Sequence, residues 1–118
     1  MKRVVLLGLF LLVLLPSVSS AQSVQCSCVV GLRELWGINI HGDASKIVPN
    51  LFPGYQGQIV GVGDVILFDY NGVGHVALIM KVTRTGFMVV EYNFKRCQQT
   101  IREVQYTDSA IRGYLWVG

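Results

Sequence analysis

Apolar and polar positions divide this chain into stretches with different periods. After the basic start Met1-Lys2-Arg3, residues 4–15 are apolar without interruption. Pro16 breaks the run, and Ser19 and Ala21 set small residues at −3 and −1 of a signal-peptidase site, which predicts a leader over residues 1–21 cut after Ala21. A spanning helix needs about 20 apolar residues, more than this run provides. A lipid anchor needs a small residue directly before its cysteine, and Gln25 stands before Cys26. The expected product, residues 22–118, is exported to the periplasm or the extracellular space. It is the size of one small domain with no stable membrane insertion.

In that remainder the period changes twice. Val29, Leu32, Leu35 and Trp36 recur at three- and four-residue spacing, which predicts a helix over residues 28–36 that stops at Gly37. Residues 39–58 are rich in Gly, Pro, Asn and Asp and read as loop, with a second short helix over residues 44–48. Residues 64–70 then alternate as a strand, Asn71-Gly72 is a hairpin signal, and residues 75–82 form an apolar run fit for a central strand. Further strands are predicted over residues 87–93, 95–103 and 111–117. The pattern is α+β: one or two N-terminal helices packed on a meander of about five antiparallel strands.

Charge changes the picture only by exclusion. The whole chain carries ten Lys and Arg against seven Asp and Glu. Removing Lys2 and Arg3 with the leader leaves a nearly neutral domain whose charges are scattered. Nucleic-acid binding needs a basic stripe to neutralise phosphates, and none is visible. The three cysteines, Cys26, Cys28 and Cys97, are an odd number for an exported protein. Cys26 and Cys28 are too close in sequence to pair readily, so any disulfide has Cys97 at one end; three reduced thiols are the alternative.

Cys28 opens the helix pattern, where unpaired N–H groups favour a thiolate; Cys26 lies just before it. Of the two histidines, His41 falls in a loop, whereas His75 opens the apolar strand directly after Gly72-Val73-Gly74. On the next strand Glu91 and Asn93 are two apart, so an extended backbone puts both on one face. Buried carboxylates and amides need partners. A carboxylate or amide beside an imidazole fixes its tautomer and stabilises its charged form.

These blocks, in order, resemble the CHAP family of cysteine, histidine-dependent amidohydrolases and peptidases. The resemblance rests on Cys28-Val29-Val30-Gly31-Leu32-Arg33-Glu34, Gly63-Asp64-Val65-Ile66-Leu67-Phe68, Gly74-His75-Val76-Ala77-Leu78-Ile79, Val90-Glu91-Tyr92-Asn93-Phe94 and Ile111-Arg112-Gly113-Tyr114-Leu115. It implies a papain-like fold, with Cys28 as nucleophile, His75 as base, Glu91 as orienting residue and Asn93 as an accompanying polar group for the imidazole or the oxyanion. Cys26, preceded by Gln25, is the alternative nucleophile. With Cys28 kept free, the odd thiol count is satisfied by a Cys26–Cys97 disulfide. Asp43 is the one acid where some relatives bind calcium, so neither metal nor other cofactor is expected.

The implied activity is hydrolysis of peptide or amide bonds in bacterial peptidoglycan, as an endopeptidase or an N-acetylmuramoyl-L-alanine amidase, by a monomer. Two other classes fit the same residues. One is a secreted binding or structural domain that kept the fold without catalysis. The other is a thiol acyltransferase or protein protease.

Overall fold

The structure is a computed structural model that describes residues 24–52 and 59–118. The expected leader and part of the expected loop, residues 53–58, lie outside the described residues. Helix α1 (Cys28–Trp36) begins at Ser27, whose hydroxyl accepts the Val30 N–H and so satisfies one of the free donors of the first turn. It ends at Gly37 in the left-handed region (φ 67°), which lets the Gly37 N–H bond back to Arg33 O at 3.1 Å. The second expected helix is a single 3-10 turn, Ala44–Lys46, capped by the Asp43 carboxylate on Ser45 N.

Five strands follow: β1 (Val65–Tyr70), β2 (Val73–Val82), β3 (Gly86–Tyr92), β4 (Gln99–Gln105) and β5 (Ile111–Leu115). All neighbours are antiparallel, in the order β4-β3-β2-β1-β5. The class is α+β, with one short helix and a five-stranded antiparallel sheet. Asn71 (φ 54°) and Gly72 (φ 89°) make the tight turn between β1 and β2. Among the described residues, no helix is long and apolar enough to cross a membrane.

Two expectations are corrected. The chain is a meander only through β4; β5 returns to the far edge and pairs with β1. β1 is buried from Val65 to Phe68, so both of its edges need backbone partners, whereas β4 is exposed at alternate residues and tolerates water along its outer edge. The fourth strand also begins later than expected. Residues 95–98 form a turn, with Asn93 (φ 62°) and Cys97 (φ 56°) both left-handed.

The sheet is buried on both faces. Val65, Leu67, Val76, Leu78, Val90 and Tyr92 face α1, against Val29 and Leu32. Ile66, Phe68, Ala77, Ile79, Phe87 and Val89 face the other way with Val104 and Tyr114. The Phe87 and Tyr114 rings meet edge-on at 5.8 Å although their strands are three positions apart, about 14 Å in a flat sheet. The sheet therefore curls around this second cluster. Gly31 lets α1 sit directly on β3, since a Cβ there would lie 2.4 Å from Tyr92 Cγ.

Candidate active site

Cys28 is the first residue of α1, so the capping that starts the helix also fixes the sulfur at its electropositive end. α1 packs across β2 and β3, and this brings Cys28 to the start of β2, where His75 stands. Beside it, Gly74 makes room for the Ala44–Lys46 turn. A Cβ there would fall 2.1 Å from Ser45 N, so only glycine lets the 3-10 turn lie against the strand. Cys28, Tyr70, Gly74, His75, Asn93 and Phe94 line one cavity of about 310 Å³.

Of the sequence-derived residues, Cys28, His75 and Glu91 are assembled. His75 is 6% exposed and Glu91 fully buried. His75 Nε2 lies 2.8 Å from Glu91 Oε1. A carboxylate only accepts, so Nε2 carries the proton of this bond and Nδ1 is left for Cys28. Burial alone would push the Cys28 thiol up, but the hydrogen bond and charge of His75, with the backbone N–H groups of Val76 and Val29, outweigh it and hold the thiol below its ordinary value. For His75, burial pulls down, while Cys28 and Glu91 push harder in the other direction and leave the imidazole raised. The two shifts run in the same sense: each partner favours the charged form of the other, thiolate for Cys28 and imidazolium for His75.

Glu91 is held as a carboxylate by more than the imidazole. Burial would raise it, yet His75 and Arg102 bring it below the usual carboxylate range. Arg102 on β4 reaches it with Nε to Oε2 at 2.5 Å and Nη2 to Oε1 at 3.1 Å, and Thr100 Oγ1 donates to Oε2 at 3.0 Å. Arg102 Nη2 also donates to Tyr70 Oη at 3.1 Å, and the guanidinium carbon lies 3.9 Å from the Phe94 ring centre. Register explains the cluster, because Thr100 lies opposite Glu91 and Arg102 opposite Val89.

Asn93 takes another part. The strand ends at Tyr92, and the left-handed turn at Asn93 breaks the alternation that would have kept it beside Glu91. Its carboxamide oxygen accepts the Cys97 N–H at 2.8 Å, so Asn93 shapes the loop that walls the cavity while Glu91 holds the imidazole. Cys26 is bonded to Cys97 and is not a thiol, which leaves Cys28 as the free cysteine among the described residues. The bond ties the segment before α1 to the loop after β3. His41 is exposed, 3.1 Å from Asn39 Oδ1 and 3.4 Å from Arg33 Nη1. Among the described residues, no group of three His, Cys, Asp or Glu is placed to hold a metal ion.

Sequence reasoning missed Ser27, Tyr70, Thr100 and Arg102. Ser27 had a readable signal, a serine directly before a helical pattern. Thr100 and Arg102 also had one: two polar residues on alternate positions of a strand predicted next to a buried carboxylate. Chemically, a thiolate paired with a held imidazolium is an arrangement able to attack a carbonyl carbon and then protonate a leaving amine. Comparison of the chain with models of known families, with curated proteins and with solved structures finds no match.

Proposed function

We propose that this protein is an exported cysteine hydrolase of papain-like architecture that cleaves peptide or amide bonds in bacterial cell-wall peptidoglycan. One observation carries the reading: a free, half-buried cysteine at a capped helix start faces a histidine whose other nitrogen is held by a fully buried glutamate. The carboxylate satisfies only one of the two ring nitrogens. Here the second nitrogen is turned to a thiol whose pKa it lowers, in a cavity open to a substrate. The substrate class and the papain-like assignment rest on the resemblance of the Gly74–His75 and Glu91–Asn93 blocks to the CHAP family, and the disulfide is compatible with export.

In this mechanism the Cys28 thiolate adds to the scissile carbonyl carbon, and the Cys28 backbone N–H at the helix start stabilises the oxyanion. His75 gives its Nδ1 proton to the departing nitrogen, leaving a thioester. It then takes a proton from water, which attacks the thioester and frees the acid. Glu91 keeps the imidazole in one orientation throughout.

The test uses the protein on purified sacculi and on defined muropeptides, with products read by mass. Cys28→Ala and His75→Ala are expected to abolish product release while melting cooperatively. Rapid modification of a single thiol well below neutral pH, lost in Cys28→Ala, is the second expectation. Full activity in either variant overturns the mechanism. A reactive thiol with no cleavage of any muropeptide would overturn the substrate.

A further inference from the structure

The cavity that holds Cys28 and His75 is walled by three apolar side chains: Tyr70 at the end of β1, Val73 at the start of β2 and Phe94 in the loop after β3. Val73 is 67% exposed and Phe94 43%. Single exposed apolar residues are ordinary on a protein surface, but here they share one cavity with a reactive thiol. Phe94 is exposed yet held in place. The left-handed turn at Asn93 starts its loop, and the Asn93 carboxamide and the Cys26–Cys97 disulfide both tie that loop at Cys97. One face of its ring rests on the Arg102 guanidinium, with the His75 ring centre at 5.7 Å and that of Tyr70 at 6.2 Å. A ring already fixed loses little freedom when a ligand covers it.

Charge narrows what that ligand can be. The cavity lining contains no Asp, Glu, Lys or Arg. The thiolate of Cys28 and the imidazolium of His75 offset each other, and Arg102, behind the Phe94 ring, is bound to Glu91 and Tyr70. A charged side chain entering here would give up water with no free counter-charge to receive it. A cation on the Phe94 ring would also meet the Arg102 charge through it. An aliphatic side chain would instead cover apolar surface on Val73 and Phe94. The chemistry fixes which residue of a peptide that is. After attack, the residue that carried the scissile carbonyl is joined to the Cys28 sulfur, so its side chain stands at this cavity. We propose that Val73 and Phe94, with Tyr70, form the specificity pocket for the residue on the acyl side of the scissile bond and select an uncharged aliphatic side chain. The inference rests on the hydrolase reading for the bond itself. Within a stem peptide it disfavours the bonds after the glutamate and after the diamino acid, whose acyl residues carry a free charge.

The probes are acetyl-alanyl aldehydes ending in valine, aspartate or arginine, each in both configurations. The Cys28 thiolate adds to the aldehyde carbon and the oxygen takes up a proton, giving a thiohemiacetal from which nothing leaves, so binding is read without cleavage. Protection of Cys28 against iodoacetamide gives the affinity, taken relative to each variant's own alkylation rate without aldehyde. The valine aldehyde, in the better of its two configurations, is expected to protect at a concentration about tenfold or more below the aspartate and arginine aldehydes. Val73→Lys puts a cation at an exposed position and should improve the aspartate aldehyde by about threefold, the worth of one exposed ion pair. Phe94→Ser should shrink the advantage of valine, and Phe94→Leu should keep most of it. The expected preference without cleavage of any muropeptide would retain the pocket and remove the hydrolase. Cleavage of muropeptides with equal protection by the three aldehydes overturns the pocket and leaves the hydrolase. So does a preference for valine that is unchanged in both Val73→Lys and Phe94→Ser, or the absence of protection by all three.

Discussion

Replacing Arg102 by methionine removes the donors that hold a fully buried carboxylate while keeping much of the side-chain volume. Removing one partner of a buried pair costs about 3–5 kcal/mol, because the other charge stays behind without compensation. The Arg102 side chain is 25% exposed, and Thr100 and His75 still serve Glu91, so the lower end applies, about 3 kcal/mol near neutral pH. In a domain of this size that is a fall in Tm of roughly 10–20 °C. The pH dependence is the sharper part. Glu91 is depressed in the folded protein, so its contribution is present above the unfolded carboxylate value and is lost as pH falls through the folded one. Below that point Glu91 is protonated in both proteins, and the difference should shrink to about 1 kcal/mol, the worth of neutral hydrogen bonds. Urea unfolding at several pH values measures it. In a Glu91→Gln background the same replacement should cost much less, since no charge is stranded. A penalty that is constant with pH, or one that simply adds to that of Glu91→Gln, would refute the account.

Activity should follow a bell in pH, with the acid limb below the ordinary thiol value and the alkaline limb above the ordinary imidazole value. In Glu91→Gln the imidazolium loses its proton more readily, so the alkaline limb should move to lower pH; an unmoved limb would mean that Glu91 does not set it. Cys26 and Cys97 are 71 residues apart, so the double alanine variant should be less stable by about 4 kcal/mol in denaturant melts, with Cys28 still reactive. Gly31→Ala should destabilise by about 2–3 kcal/mol and lower activity. Its methyl would strike the Tyr92 ring, which Trp36 Nε1 and Gln99 hold through the phenol oxygen and which cannot swing aside. Thermal melts that match the wild type would show that the ring yields.

Helix α1 was legible to the residue because its apolar spacing and the stop at Gly37 give the boundaries the structure shows. The strand faces were legible too, since alternation reports which side each residue takes. Neighbours are a different matter. Alternation says nothing of which edge a strand joins, so the return of β5 to β1 could not be read. The part Asn93 plays in shaping the loop could not be read for a related reason. The period of two holds only while the backbone stays extended, and a left-handed residue one step past Tyr92 ends it. Cys28, His75 and Glu91 stood out because each is chemically unusual in its surroundings. Arg102 stood out less, because its alternation with Thr100 is one polar pair among several on a half-exposed strand. Its role depends on the pairing of β4 with β3, which brings it within reach of Glu91.

The order in which these contacts become available has a consequence for the chain as it is made. Cys28 and its helix emerge early, but the imidazole lies on β2, the carboxylate on β3 and the guanidinium that holds it on β4. Contacts distant in sequence close late, after the loop entropy between them has been overcome. A chain synthesised only as far as β2 has the cysteine and the histidine but neither the carboxylate that holds the imidazole nor the guanidinium that holds that carboxylate. The imidazole held on both of its nitrogens is therefore a property of the finished fold, completed only when the last of these strands has paired.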